Sequence, residues 1–215
     1  SIESEDVTSS RAKTTEQIVQ QVVACLHSGG VVLLPTDTVL GLAVMPQLSH
    51  AVNKLYAMKS RPRTKALPVM VANIEQVEDL GVVISQNIRR LTQSSMFPGA
   101  LTIVASTDGE SPHHWLRDRT EVAFRAPDDA FLLEILRLTG PLLVTSANLA
   151  GEPTPEEIHH VLVQLQDTPD YIVEGLGKST LPSTLVNCTV TPAKIERIGA
   201  FSEIEISKFV DLQHD

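Results

Sequence analysis

Hydrophobic residues recur at helical and at strand spacing along the chain, and the two patterns alternate. Ile18, Val22 and Leu26 follow one another at a spacing of four residues, which predicts a helix. The glycine pair 29–30 ends that helix, and the unbroken aliphatic run 31–34 predicts a buried strand. This change from one period to the other is typical of a chain that folds into packed helices and a sheet.

The same two patterns continue to the end of the chain. Further helices are predicted at 49–58 with Ser49 as the cap, at 73–80 and 85–95, around Phe131, Ile135 and Leu138, and from Pro155 through Leu165. Further strands are predicted at 68–71, 101–105, 120–125, 142–145, 171–173, 184–189 and 194–198. The stretch 107–119 is expected to be an exposed loop.

No repeat, low-complexity tract or linker divides this pattern. The sequence therefore predicts a single α/β domain built around one mixed sheet. We expect the domain to span 14–206, with a disordered tail at 1–13 and a C-terminal tail at 207–215.

Composition narrows the class of protein. Hydrophobic residues make up 42% of the 215 residues and charged residues 20%, which excludes a largely disordered chain. Lys and Arg number 17 against 26 Asp and Glu, a net charge of −9 that disfavours binding of nucleic acid or anionic membrane over the whole surface. No apolar run is long enough to cross a membrane, and 1–13 lacks the apolar segment of a signal peptide. Two distant cysteines, Cys25 and Cys188, suggest reduced thiols, so we expect a cytoplasmic protein.

The basic residues are unevenly distributed. No acidic residue occurs between Asp37 and Glu75. The basic residues of that stretch are Lys54, Lys59, Arg61, Arg63 and Lys65. A solvated basic loop is the ordinary interpretation of such a cluster. Pro62 and Pro68 stiffen the segment, however, and converging cations suit a polyphosphate, which favours an anionic small ligand.

Small polar side chains stand at the ends of three aliphatic runs. They occur at 35–38, 145–148 and 182–184. Each segment alone is typical of a turn, but the three together indicate a ligand cleft at the edge of a sheet. The histidine pairs 113–114 and 159–160 have no cysteine or carboxylate at zinc-site spacing, so no protein metal site is predicted.

Seven segments in a fixed order carry a family resemblance. They are 35–42 (PTDTVLGL), 59–62 (KSRP) with Lys65, 97–102 (FPGALT), 125–127 (RAP), 146–148 (SAN) with 151–153 (GEP), 182–184 (PST) and 197–199 (RIG). With these segments the chain resembles the YrdC/TsaC family of threonylcarbamoyl-AMP synthases. The resemblance implies a twisted mixed sheet flanked by helices, with a concave basic cleft.

The resemblance also implies a reaction. L-threonine and bicarbonate would form a carbamate that attacks the α-phosphorus of ATP, with Mg²⁺ assisting and pyrophosphate leaving. This nucleotidyl transfer is the first step of threonylcarbamoyladenosine formation on tRNA, and the product would pass to a tRNA threonylcarbamoyl-transferase complex. Direct tRNA binding by this chain would be weak.

Site residues follow from the matched segments. The resemblance assigns ATP binding to Lys59, Arg61, Lys65, Asn148 and Arg197, with Lys59 and Arg61 as the catalytic residues that neutralise charge on the departing pyrophosphate. It assigns threonine binding to Thr38, Met70, Arg125, Ser146 and Ser183. Arg125 suits the threonine carboxylate because a guanidinium binds a carboxylate through two nitrogens.

Three positions depart from the family pattern. Leu40 replaces a tyrosine, Met70 replaces a histidine near the threonine, and Asn187 replaces an aspartate. Two other functions remain open: an RNA-binding protein of the same fold without synthase activity, and a related enzyme that forms a carbamoyl adenylate. The net charge of −9 and an aromatic content of 4% disfavour RNA binding.

Overall fold

The computed structural model describes residues 12–214, and nine strands in that part of the chain pair into one sheet. The strands are β1 (Val32–Leu34), β2 (Gly41–Val44), β3 (Val69–Met70), β4 (Leu101–Ser106), β5 (Glu121–Arg125), β6 (Leu142–Ser146), β7 (Tyr171–Ile172), β8 (Thr184–Asn187) and β9 (Lys194–Arg197). The helices are α1 (Thr15–His27), α2 (Ser49–Lys59), α3 (Ile74–Asp79), α4 (Gln86–Thr92), α5 (Ala130–Thr139), α6 (Ile158–Gln164) and α7 (Glu203–Ser207), and a 3₁₀ turn forms at His114–Leu116.

The sheet has the order β7-β1-β2-β6-β3-β5-β4-β8-β9. The pairs β1/β7, β3/β5 and β4/β8 are parallel, and the other neighbours are antiparallel. The predicted α/β fold with one mixed sheet flanked by helices is therefore confirmed.

Side-chain alternation divides the sheet into two faces. In β4, Leu101 and Ile103 point into the larger core, which α2, α3, α4, α6 and α7 cover. In β1, Val32 and Leu34 point to the opposite face, where α1 and α5 pack. Within the described residues, the strands that contribute to this second cluster are β7, β1, β2, β6 and β3. Thr102, which lies on the same face further along the sheet, instead lines a cavity.

Local chemistry explains how the two covering helices begin. Thr14 and Gln17 form a capping box at the start of α1, as each side chain accepts a hydrogen bond from the other residue's backbone N–H. Asp129 caps α5 by accepting a hydrogen bond from the N–H of Leu132, and Gly140 follows its last residue. Side-chain caps therefore fix where both covering helices begin.

Two short elements had no counterpart in the predictions from sequence. The strand β2 begins at the end of the family segment 35–42, where no strand was predicted, and all four of its residues are buried. The helix α7 begins at a capping box formed by Ser202 and Glu205. Two predicted helix starts also shift: α2 is preceded by Leu48 without a side-chain cap, and α6 begins at Ile158, after Pro155.

The chain ends differ from the expected tails where the structure describes them. The predicted N-terminal tail lies outside the described residues except for 12 and 13, and Lys13 donates a hydrogen bond to Gln21. In the segment expected to be a C-terminal tail, Val210 and Leu212 are buried in the larger core, and Leu212 bridges to Ala193. Apolar burial therefore holds this segment against the domain. Within residues 12–214, no helix is both long and apolar enough to traverse a bilayer.

Candidate active site

The open part of the sheet forms the floor of a cavity of about 530 Å³. Residues of β4, β5, β6, β8 and β9 contribute to its lining, together with the loop between β1 and β2 and the segment before β3. Its charged lining residues in the described part of the chain are Arg61, Arg119, Arg125, Arg197 and Glu121. An anionic ligand would meet mostly guanidinium groups here.

The side chains predicted to bind threonine all line this cavity. They are Thr38, Met70, Arg125, Ser146 and Ser183. Each stands at the end of a strand or in a loop next to one, and Met70 and Arg125 are register partners at the ends of the parallel strands β3 and β5. The interpretation of three polar strand ends as one cleft therefore agrees with the geometry, while the binding roles stay predictions.

Arg125 is buried, and acceptors of the protein hold its guanidinium. Its Nη1 lies 2.8 Å from Oδ1 and 3.0 Å from Oδ2 of Asp37. Nη1 also donates to the carbonyl oxygen of Gly99 at 3.0 Å, and Nη2 donates to Oγ1 of Thr38 at 3.3 Å. Asp37 Oδ2 in addition accepts from the N–H of Asp128 at 2.9 Å, whereas the buried Oδ1 makes the ionic contact with Nη1 but accepts no hydrogen bond of suitable angle within the described residues.

Asp37 is a site residue that the sequence analysis did not assign. It orients the guanidinium of Arg125 from a loop 88 residues away in the chain. Its position as the last acid before the acid-free stretch, between two threonines, was the available signal. A buried carboxylate needs a cationic partner, and the arginine of 125–127 supplies it.

Ser183 joins two elements on the far wall of the cavity. Its hydroxyl lies 2.7 Å from Oγ1 of Thr102. Arg197 donates to the Ser183 carbonyl oxygen from Nη2 at 2.9 Å and from Nε at 3.1 Å, and to Oγ of Ser183 from Nη2 at 3.1 Å. Burial lowers the pKa of Arg197, but a guanidinium remains charged at neutral pH. Arg197 therefore keeps its charge while the Ser183 loop fixes its direction.

The turn after β9 approaches the Ser183 loop so closely that only glycine fits at position 199. A Cβ on Gly199 would overlap the carbonyl oxygen of Pro182 and lie 2.7 Å from the carbonyl carbon of Ser183. Gly199→Ala is expected to lower the free energy of unfolding by about 1–3 kcal/mol, because backbone must move to admit the methyl group. Chemical denaturation measures this loss. Gly177→Ala is the matched control, since its nearest atom would be at 3.6 Å; an equal loss in both variants would contradict the explanation.

Lys59 does not line the cavity, although the sequence predicted it as a catalytic and ATP-binding residue. It is 1% exposed, and its Nζ lies 2.5 Å from the carbonyl oxygen of Ser146, 2.9 Å from that of Asn148 and 2.6 Å from Oδ1 of Asn148. An ammonium group has three N–H donors, so all three are used by the protein. Burial, and then the charge of Arg61, lower the pKa of Lys59 to about 8. In this geometry Lys59 holds the loop that carries Ser146.

The other predicted ATP-binding residues are divided between the cavity and its surroundings. Arg61 and Arg197 line the cavity, whereas Lys65 and Asn148 do not. Arg61 donates to the carbonyl oxygens of Lys65 and Ala66 at 3.3 and 2.9 Å, while the Lys65 side chain is exposed. The Asn148 amide accepts from Lys59 and from the Ser146 hydroxyl and donates to the carbonyl oxygen of Glu152. Asn148 therefore shapes the loop beneath the cavity.

The three departures from the family pattern have different surroundings. Leu40 is completely buried and Met70 is 5% exposed, and both line the cavity, so they make its wall more apolar than a tyrosine and a histidine would. Asn187 lies outside the lining, where its amide nitrogen donates to Glu196 and its oxygen accepts from Thr189. The first two changes affect the cavity directly, and the third affects a hairpin behind it.

Arg119 is a second cavity residue that the sequence analysis missed, because 107–119 was interpreted as an exposed loop. It lines the main cavity and also a neighbouring cavity of about 340 Å³. Tyr56, Trp115 and Arg63 line the neighbouring cavity. The Arg63 guanidinium lies 4.3 Å from the centre of the Tyr56 ring. Arg119 thus stands at the boundary between the two spaces.

Comparison with known proteins relates the whole arrangement to one family. Residues 24–199 match the family Sua5_yciO_yrdC, which is described as "Telomere recombination". The chain is 33% identical over 214 residues to the threonylcarbamoyl-AMP synthase of Bacillus subtilis, covering 97% of this chain and 61% of that protein. It is 28% identical to the threonylcarbamoyl-AMP synthase of Pyrococcus abyssi, covering 59% of it. The chain thus spans about 60% of the length of these curated relatives.

Solved structures show the same fold. P. abyssi Sua5 complexed with L-threonine superposes with a TM-score of 0.81 at 27% identity, over 94% of this chain and 61% of that one. Escherichia coli YciO superposes with a TM-score of 0.78 over 93% of this chain and 95% of that one, and at 21% identity it shows the fold alone.

Proposed function

Because the chain belongs to the Sua5/YciO/YrdC family, we propose that it makes threonylcarbamoyl-AMP from L-threonine, bicarbonate and ATP. The observation that carries this proposal is the cavity on the open face of the sheet, where Thr38, Arg125, Ser146 and Ser183 surround one space. The relatives named threonylcarbamoyl-AMP synthases and the threonine complex of a structural relative support the choice of substrates.

The reaction requires a nucleophile made from two small substrates. The amine of threonine adds to the carbon of bicarbonate, water leaves, and a carbamate anion results. A carbamate oxygen then attacks the α-phosphorus of ATP, the bond from that phosphorus to the bridging oxygen breaks, and pyrophosphate departs. The reaction is therefore a nucleotidyl transfer that needs no covalent intermediate on a protein side chain.

The cavity residues would act by binding and orientation. Arg125, already fixed by Asp37, would bind the threonine carboxylate, and the hydroxyls of Thr38 and Ser183 would bind its remaining polar groups. Arg61 and Arg197 would contact the nucleotide and stabilise charge on the departing pyrophosphate. Holding the carbamate beside the α-phosphorus would supply most of the acceleration, since positioning removes the entropy cost of a bimolecular encounter.

Mg²⁺ would arrive with ATP and neutralise phosphate charge. Among the described residues, no group of three or more side chains is arranged to hold a metal ion, and Glu121 is the only carboxylate on the cavity lining. Mg²⁺ is often bound through substrate phosphates and one or two carboxylates. The residues present therefore fit an ion that is held mainly by the nucleotide.

The product is a mixed anhydride whose carbonyl carbon is activated for transfer. We infer that a tRNA threonylcarbamoyl-transferase complex consumes it, because hydrolysis in free solution would waste the activated group. No described feature specifically favours RNA binding or a different carbamoyl adenylate over this function.

We expect pyrophosphate release from Mg-ATP to depend on both L-threonine and bicarbonate. A coupled pyrophosphate assay measures the rate with each substrate omitted in turn, and mass spectrometry identifies threonylcarbamoyl-AMP. Omission of either substrate should reduce the rate to the background of ATP alone. Release that is independent of threonine would contradict the proposal and favour a related carbamoyl adenylate. Absence of release, with RNA binding that ATP does not displace, would favour the RNA-binding function.

A further inference from the structure

The four arginines on the cavity lining differ in how their guanidinium groups are occupied. Arg61 donates to two backbone carbonyls, Arg125 is paired with Asp37, and Arg197 donates to Ser183. The guanidinium of Arg119 makes no hydrogen bond or salt bridge to any residue within 12–214. In the described chain, Arg119 is therefore the lining arginine whose donors are all available to a ligand.

Arg119 is not simply exposed to solvent. It is half-buried, and burial lowers the pKa of its guanidinium, with a smaller opposite effect from Tyr56. A guanidinium that has lost part of its hydration without gaining an acceptor is in an unfavourable state. Binding an anion there would replace the missing water through charge-assisted hydrogen bonds.

The position of Arg119 indicates which class of anion it would bind. It lies where the two cavities meet, and Ala66, whose carbonyl oxygen accepts from Arg61, also lines both cavities. Arg61 and Arg119 thus line one cavity, and Arg119 shares both cavities with the segment to which Arg61 donates. Two guanidinium groups on one cavity suit a ligand with several anionic oxygens, whereas the single carboxylate of threonine already has Arg125.

We propose that Arg119 binds the phosphate groups of the nucleotide at the boundary between the two cavities. This inference rests on the proposed function for its choice of ligand. Arg119 then provides the phosphate contact that the sequence analysis assigned to Lys59, whose three donors are directed to protein carbonyl oxygens. The triphosphate would extend past Arg61 toward the second cavity.

The test is the affinity for Mg-ATP, measured by calorimetry without threonine. Arg119→Gln should weaken binding about tenfold or more, because hydrogen bonds to charged groups contribute more than neutral ones. The affinity of Arg119→Lys for Mg-ATP should lie between those of the wild type and Arg119→Gln, since an ammonium keeps the charge but not the planar set of donors. Arg117→Gln is the matched control: it removes one positive charge from the same loop, is exposed, and lines neither cavity. It should bind Mg-ATP within about twofold of the wild type.

Thermal unfolding distinguishes a ligand contact from a structural role. Arg119→Gln should unfold at the wild-type temperature or above it, because no protein hydrogen bond is removed. Wild-type affinity in Arg119→Gln, or equal weakening in Arg117→Gln, would overturn the proposal. If the wild type binds Mg-ATP but releases no threonine-dependent pyrophosphate, the proposed function fails while the role of Arg119 is still decided by the affinities. If the wild type does not bind Mg-ATP, both fail.

Discussion

Replacement of Lys59 by methionine is expected to lower the free energy of unfolding by about 3 kcal/mol or more, because it removes three hydrogen bonds donated by a charged group and leaves the carbonyl oxygen of Asn148 without this donor. The ammonium of Lys59 contacts the carbonyl oxygens of Ser146 and Asn148 and the amide oxygen of Asn148. Methionine keeps the apolar stem in place, so the loss isolates the hydrogen bonds. Urea denaturation measures the stability, and the pyrophosphate assay should show a fall of about tenfold or more as Ser146 loses its position.

Lys54→Met is the matched control for this variant. Lys54 lies in the same helix, α2, and forms a 2.8 Å salt bridge to Asp170 in which both side chains are about one third exposed. Exposed ion pairs contribute about 0–1 kcal/mol, so this variant should remain close to the wild type in stability. If Lys59→Met were as stable as Lys54→Met and lost only ATP affinity, Lys59 would be a phosphate contact and our structural assignment would be wrong.

The stability difference between the wild type and Lys59→Met should also depend on pH. The pKa of Lys59 is about 8 in the folded protein and near its ordinary value of 10.5 in the unfolded chain. Between these values the unfolded chain binds more protons, so the contribution of this group to the free energy of unfolding rises with pH. Lys59→Met lacks this contribution, and the difference should widen from about pH 7.5 to about pH 9.5. A constant difference over that range would mean that Lys59 titrates at its ordinary pKa.

The burial of Lys59 could have been predicted from the sequence. Ala51, Leu55 and Lys59 follow one another at a spacing of four, and the first two are core residues of α2. A lysine on that face must either extend past the core or find buried acceptors. The ATP-binding role predicted for Lys59 followed from the resemblance of the segment 59–62 and from the positive charge, and neither takes this helical position into account.

Other parts of the site depended on contacts that sequence spacing does not contain. A strand was predicted at 101–105, and the structure shows why it contains Thr102: that side chain lines a cavity on the part of the face that α1 and α5 do not cover. The pairing of Arg125 with Asp37 joins residues 88 positions apart. Arg119 lies in a loop without a periodic pattern, so its direction is determined by tertiary packing alone. The fold class and the gathering of the polar strand ends at one cavity were thus predictable from the sequence, whereas the protein groups that pair with each cation were not.

The second large effect on stability and activity is expected at the ion pair between Arg125 and Asp37. Arg125→Met should lower the free energy of unfolding by about 3–5 kcal/mol, because it leaves the Asp37 carboxylate buried without its cation. Asp37→Asn leaves a charged Arg125 that keeps its contacts with Gly99 and Thr38, so its loss should be smaller. The double variant removes both charges and should recover part of the stability lost in Arg125→Met, giving a coupling energy in the double-mutant cycle.

Activity should not follow stability in this cycle. If Arg125 binds the threonine carboxylate, Arg125→Met and the double variant should both lose threonine-dependent pyrophosphate release by about a hundredfold or more, even where the double variant is folded. Asp37→Asn should raise the KM for threonine more than it lowers kcat, since the guanidinium is present but less firmly oriented. The KM for threonine and kcat are measured for the wild type, the two single variants and the double variant, at a temperature below the lowest unfolding midpoint of the four. Recovery of activity together with stability in the double variant would show that Arg125 supports the fold and that another group binds threonine.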